Sequence, residues 1–157
     1  MMATVDVRAT DTSQIVNVTE RPQGRNMRTL AIANQKGGVS KSTLTAHIAY
    51  AANEAGLRVL LVDLDKQGSL SETFLPNEGA APGLLASALF SSTEPEGEPE
   101  VLSDKLAIIR ADETLSLLSG GVAGGEKRPA QNLRRFADRF DICLIDTPGA
   151  IGFNPPM

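Results

Sequence analysis

Apolar residues gather in short, nearly continuous runs: Thr29-Leu30-Ala31-Ile32-Ala33, Val59-Leu60-Leu61-Val62, Leu106 to Ile109, and Ile142-Cys143-Leu144-Ile145. None of these runs alternates apolar with polar positions, so each predicts a strand buried on both faces, as in a parallel sheet covered by helices. Between the first two runs, Leu44, Ile48, Ala51, Ala52 and Ala55 recur at helical spacing across Ser42–Ala55. Gly56 stands where that helix would stop. Strand, turn, helix and strand in close succession make a βαβ unit, whose second strand should run parallel to the first through a right-handed crossover. Shorter helices are predicted over Ser69–Leu75, Gly83–Phe90 and Pro129–Phe140. The last has Pro129 in its first turn and Leu133, Phe136 and Phe140 on one face.

The polar segments read differently. Residues 1–27 are polar, Thr-rich and broken by Pro22 and Gly24, which predicts a flexible N-terminal tail, although Ile15, Val16 and Val18 are also compatible with a short strand. Ser91–Glu100, SSTEPEGEPE, has little to bury and reads as a solvated acidic loop. Gly120-Gly121 through Gly124-Gly125 reads as a joint. The sequence closes soon after the fourth apolar run. It therefore looks like the front portion of a larger α/β domain, with one sheet edge open.

The candidate chemistry lies in the turn between the first strand and the first helix, Lys36-Gly37-Gly38-Val39-Ser40-Lys41-Ser42-Thr43. A polyphosphate needs inward-pointing backbone N–H groups, a helix N-terminus behind them and a cation beside the outer phosphates. Gly37 and Gly38 allow the backbone to wrap closely, and Lys41 supplies the cation. The Ser42 hydroxyl is placed for Mg²⁺, and Thr43 for a phosphate oxygen. The common fingerprint G-x-x-x-x-G-K-[ST] is met only in part, because no Gly opens it and Ser40 replaces the Gly before the lysine. Two more acidic strand ends follow. Asp63-Leu64-Asp65-Lys66-Gln67-Gly68 ends the second apolar run and Asp146-Thr147-Pro148-Gly149 ends the fourth. Carboxylates at the carboxyl ends of parallel strands face the crevice where such sheets bind ligands.

Taken in order, these three segments resemble the ParA/MinD family of partition ATPases. Lys36 to Ser42 matches its deviant Walker A motif, K-G-G-x-x-K-[ST]. Asp63 to Gly68 is similar to its D-x-D-P-Q-G segment, with Lys66 where Pro is usual, and Phe140 to Gly149 looks like its Walker B strand and switch loop. The resemblance implies an α/β, P-loop NTPase-type three-layer fold with a mostly parallel sheet, its C-terminal part missing, over residues 28–157. It implies ATP and Mg²⁺ as cofactors, with nucleotide bound over Lys36, Gly37, Gly38, Val39, Ser40, Lys41, Ser42 and Thr43. Metal would be held at Ser42, Asp63 and Asp146, and hydrolysis supported by Lys36, Lys41 and Asp65. In such relatives the early lysine, here Lys36, reaches the phosphates of the other subunit in an ATP-bound homodimer, and Asp65 orients the attacking water. The family also works with a ParB-like DNA-binding partner protein and with non-specific DNA, in the cytoplasm and on the nucleoid. Two alternatives stay open: a non-catalytic nucleotide-binding fragment, and another deviant-Walker protein, either MinD-like or a small-molecule synthetase.

Composition trims these readings. The formal net charge is −4, with 19 Asp+Glu against 15 Lys+Arg, which argues against a surface built throughout for nucleic acid. The single cysteine, Cys143, lies in an apolar run, so it reads as a buried core residue and leaves no thiolate cluster site. No apolar stretch reaches membrane-spanning length and no signal-peptide core is present, so the cytoplasm is the expected compartment and no membrane is the expected partner.

Overall fold

The computed structural model describes residues 14–19, 27–34, 41–75, 82–118 and 127–148. Among them, six strands form one sheet: β1 (Gln14–Thr19), β2 (Arg28–Asn34), β3 (Val59–Asp63), β4 (Glu100–Ser103), β5 (Leu106–Ile109) and β6 (Ile142–Asp146). The helices are α1 (Lys41–Glu54), α2 (Ser69–Phe74), α3 (Leu115–Leu118) and α4 (Arg128–Leu133). Two 3-10 turns, Ala86–Phe90 and Arg134–Phe136, complete the regular elements.

All four apolar runs are strands, and they form the parallel centre of a sheet ordered β1-β2-β6-β3-β5-β4. β3 is parallel to β2 as the βαβ pattern predicts, but β6 lies between them, so the last strand in sequence pairs with both. Leu30 is opposite Leu144, and Leu144 opposite Leu61. All five residues of β3 are buried, as expected of a strand covered on both faces. One face packs Leu30, Val59, Leu61, Ile108 and Leu144 against Ala46, Ala49 and Ala52 of α1 and Leu70 of α2. The other packs Leu60, Val62, Ile109, Cys143 and Ile145 against Leu115 of α3, Leu133 of α4 and Phe136. The result is the three-layer α/β arrangement.

The structure departs from the sequence reading in instructive places. Within the segment expected to be a flexible tail, Gln14–Thr19 forms β1 and pairs antiparallel with β2. β4 lies antiparallel on β5. Both sides of the parallel core, where an open edge was expected, are therefore flanked, because an unpaired row of N–H and C=O groups gains hydrogen bonds from any short strand that reaches it. α1 turns a different face inward. Lys41, Thr45, Ala46, Ala49 and Ala52 are buried, whereas Ala51 and Ala55 are exposed. Small alanines let the helix axis approach the sheet, and Leu44 and Ile48 fill only the flank. Gly56 does end the helix. At φ 86° it sits in the left-handed region, and the Gly56 and Leu57 amides donate to the carbonyls of Asn53 and Ala52. This is a Schellman closure that a side chain at position 56 would strain.

The predicted helix Pro129–Phe140 shortens to α4 followed by a 3-10 turn. The acidic loop beside it is exposed at most positions, as expected, but part of its backbone is docked. Asn132 donates to the carbonyls of Leu89 and Ser91, and Arg135 to those of Pro95 and Gly97. Arg135 and Arg139 also pair with Glu98. Side chains of the α4 segment thus satisfy loop carbonyls that composition alone would assign to water.

Candidate functional site

The carboxyl ends of β3 and β6 lie side by side, with Asp63 opposite Asp146 in register. The first residues of α1 sit beside them. Ser42 Oγ donates to Asp146 Oδ2 at 2.5 Å. The buried Lys41 ammonium donates to the carbonyl of Thr147. Thr147 is in turn fastened to β2, because its hydroxyl donates to the Ile32 carbonyl at 2.7 Å and its amide donates to the same oxygen at 3.3 Å. Thr45, buried one turn into α1, donates to the Lys41 carbonyl and turns no polar atom outward.

The electrostatics follow from burial. Both Asp63 and Asp146 are fully buried. Desolvation pushes the Asp146 carboxyl up to about 6, the nearby charges of Asp63 and Asp65 add to the rise, and Ser42 and Lys41 oppose it. Desolvation also raises Asp63, against the hydrogen bonds from Ser71 and Asp65. Oδ1 of Asp146 is buried with no hydrogen-bond partner among the described residues. An unsatisfied carboxylate oxygen at a cost of this kind marks a place where a cation or its water belongs. With the adjacent Ser42 hydroxyl it forms a hard oxygen donor pair, which fits magnesium, an ion bound through one or two carboxylates while it keeps most of its hydration.

A family model described as the AAA domain matches residues 27–154, most of the chain and all of this site. The chain belongs to the ParA/MinD family of P-loop ATPases. It is 34% identical over 142 residues to the IncC protein of Escherichia coli, which covers 85% of this chain and 38% of that protein. Cobyrinic acid a,c-diamide synthase of Mycobacterium smegmatis, solved with ADP and magnesium, superposes with a TM-score of 0.69 at 34% identity over 81% of this chain and 53% of the synthase. The same synthase has been solved with an ATP analogue and magnesium. The pNOB8 ParA structure bound to nonspecific DNA gives a TM-score of 0.59 at 27% identity, covering 80% of this chain and 47% of that one. The chain thus spans from over a third to about half of the length of the relatives it matches.

Within this ParA/MinD-type site, the predicted residues separate into groups. Lys41, Ser42 and Asp146 are brought together, while Thr43, next along α1, is exposed. Lys36, Gly37, Gly38, Val39 and Ser40 lie outside the described residues. Asp63 borders the site, but its oxygens are taken: Oδ1 accepts the Asp65 amide, and Oδ2 accepts the Ser71 amide and hydroxyl. Asp65 is half-buried and its Oδ1 accepts the Gln67 amide, while the Gly68 amide closes on the Asp65 carbonyl. These two bonds hold the turn without the proline usual at position 66, where Lys66 is exposed. Ser71 is the site-bordering residue that the motifs missed. The one signal in the sequence was a hydroxyl in the first turn of the helix that follows Asp63. Cys143 is buried in β6 and its thiol is pushed up to about 12 by desolvation, so it is inert core.

Proposed function

We propose that this chain is the phosphate- and magnesium-binding portion of a ParA-type partition ATPase, acting on ATP in an ATP-dependent homodimer. The observation that carries the reading is the meeting of Lys41, Ser42 and Asp146, with one Asp146 oxygen left without a partner among the described residues. The Lys41 ammonium, now on a main-chain carbonyl, would transfer to the outer phosphate oxygens, where it neutralises charge that grows during phosphoryl transfer. Ser42 and Asp146 would hold magnesium, which when bound adds positive charge against the phosphates. Asp65, at the end of β3, would position water, and Lys36 would reach the phosphates of the second subunit. Relatives solved with ADP or an ATP analogue and magnesium support the cofactor assignment. A ParA solved on nonspecific DNA supports DNA as a partner of the whole protein, and the family resemblance implies a ParB-like protein beside it. The proposed location is the cytoplasm, on the nucleoid where DNA is held. The described residues contain no helix long and apolar enough to cross a membrane.

Asp65→Ala tests the division of labour. It should keep nucleotide affinity within about threefold and lose phosphate release by about tenfold or more, the range for a lost water-positioning group. Turnover equal to the wild type would remove Asp65 from the mechanism. The likeness to a diamide synthase favours a second reading, a small-molecule synthetase. Stimulation of phosphate release by DNA and a ParB-like protein supports the first reading, and stimulation by a carboxylic acid and an amide donor supports the second.

A further inference from the structure

We infer that Ser71 is a positioning residue: its hydroxyl fixes the Asp63–Asp65 strand end, and thereby the carboxylate of Asp65, against the nucleotide site. The inference deepens the proposed function and rests on it. The motif reading places Asp63 among the metal ligands, but its contacts give it another task. Asp63 is fully buried at the last position of β3. Its Oδ2 accepts the Ser71 hydroxyl at 2.7 Å and the Ser71 amide at 2.9 Å, while its Oδ1 accepts the Asp65 amide at 3.1 Å. A buried carboxylate held by donors on both oxygens is pinned in one rotamer, and it pins the donors in return.

The Ser71 hydroxyl also accepts the Ala111 amide at 2.9 Å, just past the end of β5. One hydroxyl therefore uses its proton on β3 and a lone pair on the segment after β5, and its own backbone lies in the first turn of α2. The N-cap position of that helix is Gly68, which has no side chain to cap it, so the Asp63 carboxylate supplies the acceptor that an N-cap residue ordinarily would. The chain of contacts runs from Ala111 through Ser71 and Asp63 to the Asp65 amide. It ends at the turn that carries the Asp65 carboxylate, whose Oδ1 accepts the Gln67 amide. Removing the hydroxyl breaks two links: Asp63 loses its shortest bond and the Ala111 amide loses its acceptor.

The test compares wild type with Ser71→Ala and Ser71→Thr, by amide hydrogen exchange without nucleotide and by Mg·ATP affinity and turnover. In Ser71→Ala, exchange at the Asp65 and Ala111 amides should rise about tenfold or more while β6 amides hold, as expected of local rather than global opening. Turnover should fall about tenfold or more with affinity within about threefold, the pattern of a misplaced group rather than a lost binding contact. Ser71→Thr, which restores the hydroxyl, should recover both. Unchanged exchange or turnover in Ser71→Ala, or a Ser71→Thr variant as impaired as the alanine, overturns the inference. Failure of the wild type to bind Mg·ATP would instead overturn the nucleotide reading, a result distinguishable because the exchange measurement needs no nucleotide.

Discussion

Asp146→Asn should make the nucleotide-free protein more stable while removing magnesium-dependent function. The Asp146 carboxyl is pushed from 3.8 to about 6, chiefly by burial. Keeping it ionised at pH 7.5 therefore costs the folded state about 3 kcal/mol relative to the unfolded chain, at about 1.4 kcal/mol per tenfold. Asparagine removes the charge but places an amide near the Oδ1 position, which has no partner among the described residues and where a buried donor without an acceptor costs about 1–2 kcal/mol. The net expectation is a gain of about 1–2 kcal/mol at pH 7.5. Because the folded-state value is raised, protonation of Asp146 favours folding. Its contribution is complete below 3.8 and is lost as pH rises through about 6. The advantage of the asparagine variant should therefore be largest above pH 6 and shrink toward pH 4. Urea unfolding of both proteins across that range measures the difference directly, since every other carboxylate is common to the two. A variant less stable than wild type at pH 7.5, or an advantage that does not change with pH, would refute the reasoning.

Two further perturbations probe the support of the site. A Cβ at Gly83 would lie 2.5 Å from the Glu98 carbonyl oxygen and 3.2 Å from the Glu100 amide nitrogen, so Gly83→Ala should cost about 1–3 kcal/mol by urea unfolding, since backbone must shift to admit it. Phe136 is fully buried beneath the sheet, with the Arg135 guanidinium 4.8 Å from its ring centre, and Phe136→Ala should cost about 3–5 kcal/mol. A loss below about 1 kcal/mol there would mean that the face carrying α3 and α4 is loosely packed.

Much of the centre of the fold was legible, because β3, β5 and β6 are buried on both faces and so leave uninterrupted apolar runs. Lys41, Ser42 and Asp146, which the three-part motif singled out, also lie together at the carboxyl ends of the strands. What periodicity does not carry is neighbourhood. Nothing in Ile142–Asp146 says that it inserts between β2 and β3, since that depends on which strands share packing partners. β1 and β4 gain their order from the flanks they cover rather than from their own patterns. The inward face of α1 was misjudged because Leu44 and Ile48 outweigh Ala46 and Ala49 in apolar size, whereas close approach to a sheet favours the smaller side chains. The docked acidic loop escaped notice for a related reason: its partners, Asn132 and Arg135, are polar residues about 40 positions away. Asp63 was read as a ligand from its place in a motif, and only its hydrogen bonds to Asp65 and Ser71 show where its oxygens are engaged.

The central claim is that Lys41, Ser42 and Asp146 form a phosphate and magnesium site, and equilibrium titration with a fluorescent ATP analogue, with and without magnesium, tests it most directly. Wild type should bind, and bind more tightly with magnesium. Lys41→Ala, shown by circular dichroism to stay folded, should lose about a hundredfold in affinity, as expected when a charged partner of a phosphate is removed. Equal affinity in the two proteins, with no dependence on magnesium, would contradict the account.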